Sequence, residues 1–242
     1  MNPHDPKDPG LIAQMGADPE VQATSRRLFN LTCRYRYSYN FSWMGRPVIQ
    51  YPQDLVAMQE ILWEVQPDLI VETGVAHGGS LVYYASLLEL IGKPAKVLGI
   101  DIEIRPHNRA ALEAHPMFRR IELLEGSSVS PEIVAQVRQR AAGAQRVLVV
   151  LDSNHSHDHV LKELQLYSPL VRAGSYVVVF DTVVEDMDPE LVGERPWGKG
   201  DNAKTAVHEF LKSNSRFEID HQIEDKLLLT VAPDGYLRCL QD

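Results

Sequence analysis

Apolar and polar positions along the chain alternate between two periods. After Pro52, the residues Leu55, Met58, Ile61, Leu62 and Val65 recur at helical spacing, with Asp54 suited to the first turn and a stop before Pro67. Asp68-Leu69-Ile70-Val71-Glu72-Thr73-Gly74 follows, a short apolar run closed by glycine, as a parallel strand buried on both faces reads. The pair then repeats: helices over 81–91, 108–114, 131–142 and 160–170, the last capped by Gly174, alternate with strands over 96–101, 121–124, 146–152 and 176–181. Strands alternating with helices demand right-handed parallel crossovers, so an open, mostly parallel sheet with helices on both faces is expected, its ligand at the carboxyl ends of the strands. The rhythm changes after a helix over 203–212. Strands over 217–220 and 226–231, joined by a polar turn, predict a C-terminal antiparallel hairpin that brings the sheet to seven strands. Residues 186–202, rich in Pro, Gly and charge, are too long for a connector and read as a lid or substrate loop.

The amino-terminal part reads differently. Three prolines in the first ten residues predict a tail without helix or strand. Asp18-Pro19 is a cap and first-turn signal for a short amphipathic helix reaching Thr32. The aromatic stretch Tyr35 to Trp43 is read either as a cap over a ligand or as simple surface packing. Residues 1–45 are therefore a tail and a helical, aromatic cap, and 46–242 the α/β domain.

Composition narrows the class. The 242 residues carry 24 Lys+Arg against 33 Asp+Glu, a net charge of −9, which gives no basic face for a nucleic-acid backbone. No apolar run approaches the roughly 18 residues that span a bilayer. Cys33 and Cys239 lack metal-ligand spacing and the first residues lack an apolar signal region, so a reducing, cytoplasmic setting is expected.

Candidate chemistry collects at the strand ends. Glu72, Asp101, Asp152 and Asp181 each close a strand and converge on one crevice, and clustered carboxylates need donors, a cation or a proton. The loop Glu72-Thr73-Gly74-Val75-Ala76-His77-Gly78-Gly79-Ser80 lets a ligand approach its backbone. It is neither G-x-G-x-x-G, since Ala76 replaces the second glycine, nor a P-loop, so a ligand without phosphates fits better. Asp101 stands where such folds bind a ribose diol, and a further acid at Glu72 suits a cationic amino acid or sulfonium. Adenosyl plus amino acid describes S-adenosylmethionine. In Asp152-Ser153-Asn154-His155-Ser156-His157-Asp158-His159, Asp152 suits a hard divalent ion shared with Asp181, Mg²⁺ or Mn²⁺ rather than zinc, with His155 as the base. His157 and His159 are read as surface residues at a helix start. Arg195, Trp197 and Lys199 in the 186–202 loop suit a sugar, and Tyr37, Tyr39, Trp43, Gln50 and Tyr51 would close the other side.

These motifs, with Phe180-Asp181-Thr182-Val183-Val184-Glu185-Asp186-Met187, Arg195-Pro196-Trp197-Gly198 and Val231-Ala232-Pro233-Asp234-Gly235-Tyr236-Leu237, resemble the cephalosporin hydroxylase / rhamnosyl O-methyltransferase family over nearly everything after about Arg46. The resemblance implies the Rossmann-like class I methyltransferase fold, S-adenosylmethionine as cofactor, and O-methylation of a hydroxyl on a sugar or glycosylated small molecule, with Mg²⁺ assisting. It maps the cofactor loop onto Glu72, Gly74, His77, Gly78 and Ser80, the ribose acid onto Asp101, the adenine stretch onto Gly126-Ser127-Ser128, and the metal and base motif onto Asp152 and His155. Family members of this type carry adjacent Glu-Asp ligands after the fifth strand, where this chain has Phe180-Asp181. Thr182, Glu185 or Asp186 replaces the missing carboxylate, or the ion is held weakly or not at all. The acceptor is expected to be a glycoside or nucleotide sugar, and the protein a homo-oligomer. The competing readings are a non-catalytic or partner-dependent cofactor-binding component of a biosynthetic complex, motivated by Phe180, and a metal-dependent hydroxylase or hydrolase built on the histidines from His155 to His159.

Overall fold

The structure is a computed structural model that describes residues 7–242. Asp8 accepts hydrogen bonds from the Gly10 and Leu11 amides and opens helix α1 (Pro9–Ala17). The expected structureless tail is thereby corrected in part, because Pro9 occupies the first helical position, where its missing N–H costs nothing; residues 1–6 lie outside the described residues. Asp18 caps α2 (Pro19–Cys33) as its sequence position predicts. The aromatic stretch becomes a 3₁₀ turn and strand β1 (Phe41–Trp43), paired antiparallel with β2 (Arg46–Val48) in a separate small hairpin.

The α/β domain follows in strict alternation: α3 (Pro52–Val65), β3 (Leu69–Thr73), α4 (Gly79–Ile91), β4 (Lys96–Asp101), α5 (Pro106–Glu113), β5 (Ile121–Glu125), α6 (Pro131–Ala141), β6 (Val147–Leu151), α7 (His157–Tyr167) and β7 (Tyr176–Val179). A short α8 (Pro189–Val192) interrupts the 186–202 segment before α9 (Ala203–Ser213), β8 (Phe217–Ile219), α10 (His221–Leu227) and β9 (Tyr236–Cys239). The seven strands lie in the order β5-β4-β3-β6-β7-β9-β8, all parallel except for β9, which runs antiparallel to both neighbours. Strand order reverses between β3 and β6, and that switch point is where an open sheet leaves a crevice at its carboxyl edge.

Strand periodicity divides the core into two layers. Ile70, Leu148, Val150, Tyr176, Val178 and Phe180 face α3 and α4, whereas Leu69, Val71, Val149, Val177 and Val179 face α6, α7 and α9. Among the described residues no helix is long and apolar enough to cross a membrane.

Two expectations need correction. Gly174 does not cap α7, which ends at Tyr167 and passes into a 3₁₀ turn over Ser168–Leu170; the Gly174 amide bonds to the Cys239 carbonyl across to the hairpin instead. The hairpin exists, but its second strand is β9 and not 226–231. There the Val231 amide and the Thr230 hydroxyl donate to the buried carboxylate of Asp54, and Leu228 sits at φ 61, so that segment's donors serve a side chain and no ladder forms.

Candidate active site

Three cavities run side by side across the carboxyl edge of the sheet. The first, about 360 Å³, lies over β3, β4 and β6 and is lined by Gly74, Ala76, Asp101, Ile102, Ser127, Ser128, Asp152, Ser153, Asn154 and His159. It contains no lysine or arginine. The second, about 230 Å³, shares Gly74, Ala76, Asp152 and Ser153 with the first and adds Gln50, His77, Ser80, His155 and Asp181. Asp181 also lines the third, about 320 Å³, which lies between α2, the aromatic segment and residues 183–195.

The loop after β3 is held by its neighbours. Gly74 adopts φ +92, and a Cβ there would lie 2.0 Å from the Asp152 carbonyl oxygen, so glycine lets the ends of β3 and β6 touch. Asp101 Oδ2 accepts the Val75 and Ala76 amides at 2.8 and 3.2 Å, leaving Oδ1 with only a 3.3 Å bond from the Glu103 amide. Asn108, buried in the first turn of α5, donates to the Ala76 carbonyl and accepts from Arg46, which also binds the His77 carbonyl. Neither Asn108 nor Arg46 was legible as a clamp from sequence, because each looks like an ordinary helix-start or strand residue. Glu72 is fully buried, with the Ser80 hydroxyl on Oε2 at 2.8 Å and Oε1 without a partner among the described residues. Burial pushes its carboxyl up to about 8, despite the Ser80 bond. His77 and Ser80 line the second cavity and not the first, and Gly78 lines neither, its open side facing Leu112.

The second cavity gathers the charged groups. Gln50 Nε2 donates to Asp152 Oδ2 at 3.2 Å, while the Gln50 amide oxygen is buried without a partner among the described residues. Burial raises the Asp152 carboxyl well above the usual range, and the charges of Asp181 and Glu72 add to the effect. His155, buried, brings Nε2 to 3.3 Å from Asp181 Oδ2 and packs edge-on against Trp197 at 5.0 Å. Asp181 sits at φ 57, and this left-handed turn swings the chain off β7 toward the cavity.

The residue before it explains the missing carboxylate. Phe180 continues the alternation of Tyr176 and Val178 into the apolar layer against α3 and α4, at 1% exposure, so an acid there would be buried without a partner. None of the offered replacements reaches the cavity. The Thr182 hydroxyl donates to the Pro233 carbonyl at 2.6 Å, Glu185 accepts from Gly200 and Asn202, and Asp186 pairs with Lys204 at 2.7 Å.

The third cavity carries the residues expected to close over an acceptor, with exceptions. Tyr37, Tyr39, Tyr51 and Arg195 line it, and Tyr51 stacks on Phe29 at 4.9 Å. Trp43 does not, because its indole donates to Ser86 and packs on Tyr83 against α4. Cys33, Arg34, Arg36 and Glu190 belong to this cavity and carried no periodic signal in the sequence.

The histidines after Asp152 diverge. His157 turns to Thr205 at 2.8 Å and its amide to Asp201, whereas His159 Nε2 lies 3.2–3.3 Å from Ser128, Ser153 and the buried Glu163. Both stand at the start of α7 as expected, but half-buried and with ring partners instead of on the open surface, and three rings serving three places make no shared metal centre. The one His/Asp/Glu group among the described residues compact enough for an ion is His221, Glu224 and Asp234, remote in sequence from this crevice.

With this geometry in view, comparison with known proteins is specific. A family model described as "Rhamnosyl O-methyltransferase/CmcI" matches residues 35–240. The chain is similar to the rhamnosyl O-methyltransferase of Mycobacterium tuberculosis (strain ATCC 25618 / H37Rv), 36% identical over 200 residues that cover 81% of this chain and 77% of that protein. The Mycobacterium leprae (strain TN) rhamnosyl O-methyltransferase is likewise 36% identical over 197 residues, 81% of this chain and 82% of that protein. Among solved structures, the CmcI-N160 apo form superposes with a TM-score of 0.59 at 19% identity, covering 84% of this chain and 78% of that one. The CmcI-D160 form with Mg and SAM gives 0.56 at 19% identity, covering 84% and 77%. At that identity these structures bear on the fold.

Proposed function

The chain belongs to the rhamnosyl O-methyltransferase/CmcI family, and from that premise we propose that it transfers the methyl group of S-adenosylmethionine to a hydroxyl of a sugar or glycosylated small molecule. The observation that carries the reading is the continuity of the three cavities, with Asp152 between the first and second and Asp181 between the second and third. The first cavity suits the cofactor. It offers carboxylates and hydroxyls for a diol and no cation for a phosphate, whereas Glu72, buried beneath the loop, lines none of the three cavities.

In the second cavity His155 is the base. Asp181 orients the ring through Nε2, and Trp197 fixes its tilt. The acceptor oxygen loses its proton to His155 as the oxygen–carbon bond forms in line with the breaking carbon–sulfur bond. The cofactor supplies an activated methyl group; the chain's own task is alignment and proton removal.

Asp152 and Asp181 fit a hard divalent ion. Two carboxylates that repel each other, beside an orphaned amide oxygen from Gln50, form an all-oxygen donor set of the kind Mg²⁺ takes together with water and substrate. Bound there, the ion would lower the proton affinity of the sugar hydroxyl. Thr182 is not needed for that set. Tyr51 and Arg195 lie on the acceptor side and Trp197 packs on His155, with residues 1–45 as a tail and a helical, aromatic cap and 46–242 as the methyltransferase domain.

Incubation with S-adenosylmethionine and a panel of rhamnosides, other glycosides and nucleotide sugars, read by mass spectrometry, tests the proposal. Methylated glycoside is the expected product. Tight binding of S-adenosylhomocysteine by the isolated protein with no product from any acceptor would favour the non-catalytic or partner-dependent reading. A homo-oligomer is supported by the exposed apolar side chains Leu11, Leu28, Leu31 and Tyr35 on and beside the first two helices, and light scattering on the eluting protein tests it.

A further inference from the structure

His159 lies outside the proton-transfer centre, yet its surroundings are built. Glu163, one turn further along α7 and fully buried, accepts the Ser153 hydroxyl at 2.9 Å and lies 3.3 Å from His159 Nε2. Ser128 and Ser153 hydroxyls lie 3.2 and 3.3 Å from the same nitrogen. Ser128 is itself fixed, since the Tyr167 hydroxyl donates to its carbonyl at 2.5 Å. Ser153 spends its proton on Glu163, so Ser153 and Glu163 both face Nε2 with lone pairs. A neutral imidazole here carries its hydrogen on Nε2 and leaves Nδ1 as a bare acceptor. Among the described residues, no hydrogen bond reaches Nδ1, and His159 lines the first cavity.

The rest of that wall has the shape a purine needs. Ile102 follows the diol-side acid Asp101 directly and stands 75% exposed at the cavity, an apolar face beside a polar edge made by Ser127, Ser128, Asn154 and His159. A base attached to a ribose held at Asp101 would find Ile102 as an apolar face and that polar row at its edge. The amine on carbon 6 of adenine is the donor that edge offers, and Nδ1 the acceptor awaiting a donor.

We infer that His159, its tautomer set by Glu163 and Ser153, reads the adenine amine of the cofactor and is a specificity-determining residue of this site. The inference rests on the S-adenosylmethionine reading and adds to it the residue that distinguishes adenine from other purines.

The test is calorimetric and needs no turnover. The unaltered protein is titrated with S-adenosylhomocysteine and with its analogue bearing unsubstituted purine, which lacks only the amine. One neutral hydrogen bond lost should weaken binding about three- to tenfold. The same pair is then titrated into His159→Phe, which keeps a ring without the acceptor, and into His159→Asn, which can return an acceptor near the Nδ1 position. The Phe variant should bind both ligands within twofold of each other, and the Asn variant should regain part of the preference. Equal binding of the two ligands by the unaltered protein overturns the inference without any variant having to fold, while leaving the cofactor assignment intact. An undiminished preference in His159→Phe overturns it as well. Failure of the unaltered protein to bind S-adenosylhomocysteine at all overturns both the inference and the proposed function.

Discussion

Gly74→Ala is the sharpest perturbation the site offers, because one methyl group addresses both the fold and the chemistry. An alanine Cβ at that position would lie 2.0 Å from the Asp152 carbonyl oxygen, 2.6 Å from its carbon and 3.1 Å from Ser153 Cα. Real Cβ atoms do not approach closer than 3.0 Å, so the ends of β3 and β6 must part by about 1 Å. Backbone lies on both sides of the contact and no side chain can yield. Overpacking of this kind costs about 1–3 kcal/mol, and holding a non-glycine residue at φ +92 adds about 1–2 kcal/mol. Urea unfolding should therefore report a loss of about 2–5 kcal/mol. The displaced backbone is that of Asp152, which lines both the first and the second cavity. A misplacement of about 1 Å costs on the order of 10²-fold in rate, so turnover of the folded fraction should fall by about that factor. A Gly74→Ala protein with unchanged unfolding free energy and kcat/KM within twofold of the parent would refute the close-contact argument.

Four further outcomes are expected. His155→Ala should lower kcat by about 10²–10⁴-fold and leave the calorimetric affinity for S-adenosylhomocysteine within twofold; lost affinity would remove His155 from the acceptor side. Glu72 has its carboxyl raised from 4.5 to about 8 by burial, so the fold holds a proton that the unfolded chain releases, and its contribution is full below pH 4.5 and lost as pH rises through 8. Urea midpoints should fall across that window, and Glu72→Gln should flatten the fall; an unchanged slope would contradict it. Asp54→Ala strands the Thr230 and Tyr236 hydroxyls and the Val231 amide in the core and should cost at least about 3 kcal/mol in the same assay, at about 1–3 kcal/mol for each of the three orphaned donors. Chelation with EDTA should slow methylation and added Mg²⁺ restore it, the effect vanishing in Asp152→Asn; an activity indifferent to chelation would leave proton removal to His155 alone.

The parallel strands were legible because they are buried on both faces and therefore appear as unbroken apolar runs, and the acids that end them were legible because polar residues stop such runs abruptly. The end of the chain was not. Leu227-Leu228-Leu229 has the composition of a strand, but what decides it is the carboxylate of Asp54, more than 170 residues earlier, which claims the Thr230 and Val231 donors. The same limit applies at the site. Phe180 stood out as a departure, yet only its place in the strand alternation explains why no acid fits there. His159 was read as surface because nothing local in the sequence announces Glu163 and Ser128 on its other side. Arg36, Cys33 and Glu190 meet across the third cavity through tertiary packing, which has no period to read.

The first cavity is made from strand ends and the loops that leave them, and the third from α2, the aromatic turn, the 183–195 segment and Val231; the two share no lining residue. Mutational drift can therefore act on them separately. With the donor in the first cavity and the acceptor in the third, as proposed, substitutions at Arg34, Arg36, Tyr37, Glu190 or Leu191 touch only the acceptor side. A scaffold divided in this way suits a lineage that diversifies its acceptors, and it gives an engineer seeking a new glycoside the set of positions to randomise.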